Sequence, residues 1–284
     1  MKTETTITGL RGALRAARKT GKSIAFVPTM GNLHDGHITL VKAAKRRADV
    51  VVASIFVNPT QFGVNEDFDK YPRTLPADSA MLADADCDLL FAPDAREMYP
   101  DGRSQHTSVS VSVSGITDVL CGASRPGHFT GVATVVCKLF NIVQPDMALF
   151  GEKDYQQLAV IRCMTRELCF PVEVIGVPTV RADDGLALSS RNGFLSADER
   201  QQAPLIFQTL SNLRSAIESG QRDYTMLAQA ARSHLDKCGF VTDYMDIRRQ
   251  DLADASPDDK ALVILVAARL GATRLIDNLA FELA

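Results

Sequence analysis

Residues 26–37 read Phe-Val-Pro-Thr-Met-Gly-Asn-Leu-His-Asp-Gly-His, and this stretch indicates both the fold class and the chemistry of the protein. It predicts a short buried strand, a loop containing Gly31, and a helix that starts near His34 and His37. A helix N-terminus presents unpaired N–H groups and the positive end of a dipole, so it binds anions. Two imidazoles there can donate hydrogen bonds to a phosphate. The stretch therefore indicates nucleotide chemistry at an α-phosphate, with surface or helix-capping histidines as the alternative.

Short apolar strands alternate with helices up to about residue 177. The strands are predicted at 23–27, 50–57, 89–92, 147–150 and 172–177, and the helices at 10–19, 38–48, 77–85, 130–141 and 155–168. This alternation predicts an α/β fold with a parallel sheet and right-handed crossovers. Polar clusters follow three of the strands, in the loop after Val27, at Asn58–Phe62 and at Gly151–Asp154. Because ligands bind at the carboxyl ends of such strands, we expect the site there.

The pattern changes after residue 177. Helices are predicted at 204–218 and 225–238, and strands at 241–248, 261–269 and 273–278. Successive strands predict an antiparallel sheet with helices on one face, so we expect two domains, 1–177 and a smaller α+β domain at 178–284. In Thr107–Ser114 serine alternates with valine, which predicts an exposed edge or hairpin strand.

Composition and charge exclude several classes of protein. Hydrophobic residues make up 46% of the 284 residues, and the net charge of −3 provides no basic surface for nucleic acid or an anionic membrane. The longest apolar run, Ala261–Ala268, is shorter than the roughly 20 residues that span a bilayer, and the first residues contain no signal-peptide core. Six scattered cysteines fit reduced thiols. We therefore expect a cytoplasmic protein that binds neither nucleic acid nor membrane.

Two further motifs carry charged or hydroxyl groups. In Gly151–Asp154, Lys153 can neutralise phosphate charge and Asp154 can accept a hydrogen bond from a ribose hydroxyl, unless the motif is a charged turn that caps the next helix. Leu188–Asn192 places two serine hydroxyls beside an arginine. That combination suits a loop that closes over pyrophosphate, but a polar interdomain linker is equally possible.

Four single side chains have an open interpretation. Gln61 and Gln157 are neutral amides that suit recognition of a small polar substrate, although surface glutamines are commoner. His128 precedes an apolar helix and is interpreted as structural. Cys121 is interpreted as a packing residue, because nothing near it in sequence resembles an activating base.

Taken together, these segments resemble the pantoate–β-alanine ligase family, also called the pantothenate synthetases. The matching motifs occur in the family's order and without a departure at any motif position; they are Pro28–His37, Phe56–Phe62, Tyr71–Thr74, Arg125–Phe129, Phe150–Gln157 and Leu188–Asn192. The tail, with Arg269, Leu275–Asn278 and Glu282, is also similar to the family's C-terminal end.

The resemblance implies a Rossmann-like nucleotidyltransferase fold, in which His34 and His37 form the H-x-G-H signature. It also implies a two-step ligation. ATP and pantoate first form pantoyl adenylate and pyrophosphate, and the amine of β-alanine then attacks the adenylate to release AMP and pantothenate. A homodimer and Mg²⁺ are implied as well. The Mg²⁺ would rest on phosphate oxygens and water rather than on protein ligands, with Asp78 at most in its outer shell.

The resemblance further implies roles for the matching residues. ATP would be bound by Met30, Gly31, Asn32, Leu33, His34, Asp35, Gly36, His37, Gly151, Glu152, Lys153, Asp154, Val180, Leu188, Ser189, Ser190 and Arg191. The catalytic residues would be His34, Lys153 and His37, with His37 as proton donor. Pantoate would be held by Gln61, which also meets β-alanine, and by Gln157, Val132, Val135 and Val136. The second domain would act as a lid.

Two other functions remain open on the residues alone. A nucleotidyltransferase that attaches a nucleotide to a phosphate ester would have a similar histidine pair. Its acceptor pocket should be basic, whereas the glutamines and valines here favour a small carboxylic acid with apolar bulk. A nucleotide sensor without activity would bind ATP and release no pyrophosphate.

Overall fold

The computed structural model describes residues 1–63, 66, 68–100 and 107–283. They form two compact units: the first contains Met1–Glu152 and Gln157–Pro178, and the second contains Lys153–Gln156 and Thr179–Ala284. The four residues 153–156 thus belong by their contacts to the second unit. The division into a substrate-binding domain and a lid domain stays a prediction.

A six-stranded parallel sheet forms the centre of the first unit, with the strand order β1-β4-β3-β2-β5-β6. The strands are β1 (Lys2–Glu4), β2 (Ile24–Thr29), β3 (Val50–Ile55), β4 (Leu89–Phe91), β5 (Met147–Gly151) and β6 (Glu173–Val177). β2 pairs with β3 along its whole length and with β5 through Ala25 and Phe26. The predicted parallel α/β fold is confirmed.

Seven helices connect and cover this sheet among the described residues. They are α1 (Ile7–Lys19), α2 (Asp35–Lys45), α3 (Leu75–Asp84), α4 (Ala95–Met98), α5 (Cys121–Ser124), α6 (His128–Val143) and α7 (Tyr155–Glu167). Most of α6 is apolar and buried, as expected for a helix enclosed by its neighbours rather than lying on the surface.

The order of the strands reverses at β2. From β2 the chain builds β3 and β4 towards one side, and β5 and β6 are added on the other. Parallel strands end at the same edge of the sheet, and ligands bind where the order reverses. The loops after β2, β3 and β5 therefore leave the sheet as neighbours, which is where the sequence places its polar clusters.

The predicted strand at Thr107–Ser114 is wrong, because this segment pairs with no strand of the described chain. The backbone N–H of Val111 instead donates to the hydroxyl of Thr134 on α6 at 2.9 Å. Val109 is 75% exposed. Val111 and Val113 are half-buried while Ser112 and Ser114 are exposed, so the alternation follows a partly buried side without a hydrogen-bonded ladder.

Several predicted strand ends also differ, most of all that of β9, which ends at Glu282 rather than at Asn278. β3 ends at Ile55 rather than at Val57, and Pro28 lies inside β2 rather than terminating it. Proline has no N–H for a ladder. It is tolerated at this position because the pairing with β5 involves only Ala25 and Phe26, earlier in β2.

The second unit has an antiparallel sheet in the order β7-β8-β9, as predicted. Its elements are α8 (Ala197–Gln202), α9 (Leu205–Glu218), α10 (Tyr224–Lys237), β7 (Phe240–Arg249), β8 (Ala261–Leu270) and β9 (Thr273–Glu282). Alternate β8 residues such as Leu262 and Ile264 share one apolar cluster with Ile206 and Leu210 of α9 and Leu235 of α10. These helices therefore cover one face of the sheet.

A tight turn at Pro59–Gln61 follows β3 and packs directly on α6. A Cβ atom on Gly131 of α6 would lie 2.3 Å from the carbonyl oxygen of Thr60 and 2.7 Å from Cα of Gln61. The side-chain amide of Asn58 donates to the carbonyl oxygen of Gly131 at 3.2 Å. Because only glycine allows this approach, Gly131 determines where Gln61 lies.

Three side chains, Glu66, Arg125 and His128, form a cluster that holds the same turn. His128 Nδ1 lies 2.8 Å from the carbonyl oxygen of Gln61, and His128 Nε2 lies 2.9 Å from Nη1 of Arg125. A carbonyl only accepts and a guanidinium only donates, so the His128 ring is neutral with its proton on Nδ1. Arg125 also donates to both carboxylate oxygens of Glu66 at 2.6 Å. The interpretation of His128 as structural agrees with these contacts.

We expect Gly131→Ala to lower the free energy of unfolding by about 3 kcal/mol, the upper end of overpacking costs, because both clashing groups are backbone. Gly12→Ala in α1 is the matched control, since its Cβ would meet nothing within 4 Å. The control should be neutral or stabilising by up to about 1 kcal/mol. Urea titrations followed by circular dichroism measure both, and equal midpoints for the two variants would contradict the packing argument.

We expect Glu66→Gln to lower stability at neutral pH and to flatten its acid dependence. Burial raises the pKa of Glu66, but the hydrogen bond and charge of Arg125 outweigh burial and lower it from 4.5 to about 2. The folded state therefore gains stability above about pH 4.5 and loses it as the pH falls towards about 2.

The expected loss at pH 7 is about 1–3 kcal/mol, because the half-buried guanidinium of Arg125 loses its only carboxylate partner among the described residues. Glu167→Gln removes the exposed pair with Arg166 and serves as control, with an expected change near zero. Urea midpoints between pH 7 and 3 measure the effect. A Glu66→Gln curve parallel to that of the parent would refute it.

Candidate active site

The loop between β2 and α2 is held by a buried carboxylate on α3. Asp78, which is 2% exposed, accepts hydrogen bonds from the backbone N–H groups of Asn32 at 2.9 Å and Leu33 at 2.8 Å, and from the Thr74 hydroxyl at 3.0 Å. Gly31 and Asn32 have left-handed backbone, with φ of 82° and 49°. The loop therefore has a fixed path, in which Asp78 acts as the acceptor that shapes it.

His34 and His37 form a reciprocal cap on α2. His34 Nδ1 accepts from the N–H of Gly36 at 3.1 Å, and the N–H of His34 donates to His37 Nδ1 at 3.3 Å. The two ring centroids are 4.1 Å apart. The alternative that these histidines cap a helix is therefore correct, but it does not exclude a second role.

The cap determines which ring nitrogen carries the proton. A nitrogen that accepts a hydrogen bond has no proton, so neutral His34 and His37 carry theirs on Nε2. Both rings are half-buried at the N-terminus of α2, where the helix dipole favours negative charge. The pair is therefore suited to donate two hydrogen bonds to an anion such as phosphate.

The amide of Gln61 is buried and oriented by its neighbours. Its Oε1 accepts from Asn58 Nδ2 at 3.0 Å, and its Nε2 lies 3.0 Å from the sulfur of Met30. Asn58 is itself fixed by the Tyr99 hydroxyl, which donates to Asn58 Oδ1 at 2.8 Å. Because a thioether is only a weak acceptor, Gln61 Nε2 retains donor capacity for an oxygen of a ligand. The contact brings Met30 and Gln61 together from two loops.

The three valines predicted to contact pantoate lie on one buried stripe of α6. Val132, Val135 and Val136 have the spacing that places side chains on one helix face, and all three are buried. α6 meets the turn that carries Gln61 at Gly131, directly before Val132. The first unit therefore places apolar bulk and a polar amide in the same region.

The end of β5 carries the remaining predicted residues of the first unit. Gly151 is the last residue of β5 and pairs with Val177 of β6. A Cβ on Gly176 would lie 2.8 Å from the Glu152 carboxylate, so Glu152 lies against β6. Gln157 is half-buried in the first turn of α7.

The second unit holds Lys153 beside the loop that contains Ser189. Asn278 Nδ2 of β9 donates to the Lys153 carbonyl oxygen at 2.9 Å, and Lys153 Nζ lies 3.9 Å from a carboxylate oxygen of Asp154. A cavity of about 10 Å³, room for one water molecule, is lined by Lys153, Ser189, Asn192 and Asp277 among others. Lysine and serine side chains from distant parts of the sequence thus meet at one place.

Residues 180–188 form a small hairpin that leads into this loop. The N–H of Leu188 donates to the carbonyl oxygen of Val180 at 2.9 Å, so the two predicted ATP contacts are adjacent. Ser189 Oγ accepts from the N–H of Arg191 at 3.2 Å and caps the short helical turn Ser190–Phe194. The hydroxyl–arginine motif is therefore an ordered turn in this structure.

Sequence reasoning missed the structural roles of four residues that shape these regions, and it named Asp78 only as an outer-shell candidate for Mg²⁺. Asn58 and Gly131 orient Gln61, Asp78 shapes the histidine loop, and Asp277 lines the Lys153 cavity. Asn58 lies in the family-like motif Phe56–Phe62 and Asp277 in the family-like tail. The sequence therefore pointed to both residues, but no role was assigned to either. Gly131 and Asp78 act on residues distant in sequence, which no local pattern reveals.

The described ranges contain neither a cluster of metal-binding side chains nor a membrane-spanning helix. No group of three or more His, Cys, Asp or Glu side chains in those ranges could hold a metal ion. No helix there has the length and apolar character needed to cross a membrane.

Proteins of known type match the chain over almost its whole length. A protein from Pseudomonas fluorescens named pantothenate synthetase is 59% identical over 284 residues, covering 100% of this chain and 99% of the relative. Another of that name from Pseudomonas putida is 60% identical over 280 residues, covering 98% and 97%.

Solved structures agree with these relatives. The pantothenate synthetase of Thermus thermophilus superposes with a TM-score of 0.91 at 48% identity, covering 98% of this chain and 99% of that one. The pantoate–β-alanine ligase of Francisella tularensis, solved with βγ-ATP and β-alanine, gives 0.82 at 35% identity, covering 99% and 97%. The family model described as pantoate–β-alanine ligase matches residues 2–280, and the chain therefore belongs to the pantoate–β-alanine ligase family.

Proposed function

We propose that this enzyme condenses pantoate with β-alanine through a pantoyl-adenylate intermediate, consuming ATP and releasing AMP and pyrophosphate. The observation that carries the proposal is the pair of Nε2–H donors on His34 and His37 at the start of α2, where the strand order of the sheet reverses. Membership of the ligase family favours this reaction over a phosphate-ester nucleotidyltransferase or an inactive ATP sensor.

In the first step, a carboxylate oxygen of pantoate attacks the α-phosphorus of ATP. A P–O bond to pantoate forms as the bond to pyrophosphate breaks, and little proton transfer is needed. Negative charge grows on the phosphate oxygens, so catalysis needs oriented donors and positive charge. We assign these roles to the Nε2–H groups of His34 and His37 and to the ammonium of Lys153, with His37 as proton donor.

In the second step, the amine of β-alanine attacks the acyl carbon of the adenylate. The C–N bond forms, the bond from the acyl carbon to the phosphate oxygen breaks, and AMP leaves with the electron pair. β-Alanine reacts as the free amine, because its nitrogen lone pair forms the C–N bond, and the nitrogen then releases one proton to solvent as the amide forms. The mixed anhydride hydrolyses readily, so water has to be kept from it.

Polar amides and an apolar stripe of the first unit both take part in substrate recognition. Gln61, with its oriented amide, and Gln157 bind pantoate, and Gln61 also meets β-alanine. The buried stripe of Val132, Val135 and Val136 packs against the geminal methyl groups of pantoate. Neutral donors and apolar bulk match a small branched hydroxy acid better than a phosphate ester.

The proposed ATP contacts come from the backbone and side chains of four segments. They are Met30–His37, Gly151–Asp154, Val180 and Leu188–Arg191. The fixed path of the first segment supports this assignment, because the hydrogen bonds from the N–H groups of Asn32 and Leu33 to Asp78 hold the loop that leads to the two histidines.

We also propose that Mg²⁺ accompanies ATP, that the enzyme is a homodimer, and that it works in the cytoplasm. Asp78 is an unsuitable direct ligand because its carboxylate already accepts three hydrogen bonds. Phosphate oxygens and water would hold the ion, which supplies positive charge there. The dimer rests on family membership. The six cysteines are all free thiols, which supports a reducing compartment.

Pantoate-dependent exchange of labelled pyrophosphate into ATP, without β-alanine, tests the function. We expect exchange that requires pantoate, because the adenylation step is reversible and needs no amine. A protein that binds Mg²⁺–ATP but shows no exchange with pantoate does not carry out the proposed first step.

Two replacements of His37 separate its cap from its donor. The amide of asparagine reaches about as far as Nδ1, and that of glutamine about as far as Nε2. We expect His37→Asn to keep the cap and lower exchange about 100-fold, the cost of one lost transition-state donor. His37→Gln should retain most of the exchange, because its amide nitrogen can donate near the position of Nε2, and stability close to the parent's, because glutamine at this position can also accept the cap hydrogen bond. Thermal unfolding is measured beside the exchange rate, and the opposite ranking would refute the assignment of Nε2.

A further inference from the structure

The tail segment Leu275–Asn278 has a family-like sequence, and the reaction described above gives it no role. In the structure its last two residues, Asp277 and Asn278, are adjacent on β9 and almost fully buried. Their side chains make hydrogen bonds to two segments that we assign to ATP, one around Lys153 and one in the 180–188 hairpin. Those segments lie far from the tail in sequence.

Asp277 forms a two-pronged ion pair with Arg181. Nη1 of Arg181 donates to Oδ2 of Asp277 at 2.6 Å, and Nη2 donates to Oδ1 at 2.9 Å. Nη2 also lies 3.3 Å from the carbonyl oxygen of Asn278. The guanidinium stacks on the Phe207 ring, 3.7 Å from its centroid. Arg181 is therefore held in a single orientation by a bidentate ion pair and by stacking on an aromatic ring, and a lysine could make neither contact.

The same guanidinium closes the 180–188 hairpin. Arg181 Nη1 donates to the carbonyl oxygen of Gly185 at 3.1 Å, and the backbone of Arg181 is bridged to Ala187. The next pair along the hairpin joins Val180 to Leu188. Asp277 thus acts through Arg181 on the two residues that begin and end the hairpin.

Asn278 acts on the other segment. Its Nδ2 donates to the carbonyl oxygen of Lys153 at 2.9 Å, while its own N–H donates to Oδ1 of Asp277 at 2.8 Å. A second hydrogen bond, from the Tyr155 hydroxyl to the carbonyl oxygen of Gln250, holds the same segment at 2.8 Å. The backbone at Lys153 is therefore fixed by donors and acceptors of the second unit.

Stability alone is a weak reason for such a network. Burying an ion pair costs desolvation energy that roughly cancels the attraction, and apolar replacements of similar size are often at least as stable. The network instead fixes the positions of the segments it joins, because each carboxylate oxygen of Asp277 accepts from a defined donor. The small cavity lined by Lys153, Ser189 and Asp277 lies at the point where the held segments meet.

We propose that Asp277 and Asn278 are positioning residues that hold Lys153 and the 180–188 hairpin in the arrangement that binds ATP. The proposal rests on the assignment of Lys153, Val180 and Leu188 to ATP in the proposed function. It predicts that changes in the tail weaken ATP binding without affecting pantoate, although neither tail residue is assigned to a substrate.

The experiment compares Asp277→Asn and Asn278→Leu with Asp243→Asn. The control removes a carboxylate from another partly buried ion pair of the same sheet, in which Arg274 Nε lies 2.7 Å from Asp243 Oδ2. Arg181→Lys is added as a milder change, which keeps the charge and loses the fork, in case the other variants fold poorly. Calorimetric titration with Mg²⁺–ATP, the KM values for ATP and pantoate in pyrophosphate exchange, and the thermal midpoint are measured for each.

We expect the ATP Kd and KM to rise on the order of tenfold in Asp277→Asn and Asn278→Leu, with the pantoate KM within about twofold of the parent. Arg181→Lys should follow in the same direction. Asp243→Asn should lower the thermal midpoint and leave ATP binding unchanged. If the tail had only a structural role, its two variants would behave in the same way as this control.

Three results overturn the proposal: ATP binding by the two tail variants as tight as by Asp243→Asn, equal losses for ATP and pantoate, or a parent that binds no ATP. Failure of the proposed function gives a different result, which is the absence of pantoate-dependent pyrophosphate exchange in the parent protein. The calorimetric comparison needs no chemistry, so it still decides the role of the tail in that case.

Discussion

The position of β2 between β3 and β5 is the constraint on which the first unit depends. Its parallel pairing on both sides brings the ends of three strands to one edge, although the ends of β2 and β5, at Thr29 and Gly151, are about 120 residues apart in sequence. The histidine loop, the Gln61 turn and Gly151 become neighbours only through that pairing. Each loop is then fixed by its own buried acceptor or close contact, Asp78 in one case and Gly131 in another.

The histidine pair shows how a structural and a chemical role can reinforce each other. A cap needs Nδ1 as an acceptor, and that requirement leaves the proton on Nε2. The interaction that caps the start of the helix therefore also selects the tautomer whose Nε2–H can donate to an anion. Because the same contact fixes the orientation of both rings, the proposed adenylation would need little reorganisation of these donors.

Sequence reasoning reached the fold because its signals are local and periodic. Apolar strands such as Val50–Ile55 and the change of pattern near residue 177 depend on neighbours along the chain. The same reasoning failed at Thr107–Ser114, because alternation of side chains carries no information about whether a partner strand exists.

Parts of the candidate site could not be predicted from the sequence, for a different reason. The need for glycine at 131 arises from the backbone of Thr60, and the partner of Arg181 is Asp277, 96 residues away. A motif shows which residues are present, while contacts of this kind appear only after folding. The tail was visible as a resemblance, but its connection to Lys153 was not.

The hydrogen bond from Asn278 to Lys153 has a consequence for synthesis of the protein. The two residues are 125 positions apart, so the lysine segment lacks this donor until nearly all of the chain has left the ribosome. A chain interrupted before β9 can still form the parallel sheet from its own residues, since all six strands precede residue 178. Such a fragment would contain the histidine pair in a folded setting while the segment that carries Lys153 has no anchor on β9. Completion of translation thus becomes a condition for anchoring the segment of Lys153, which we propose binds ATP.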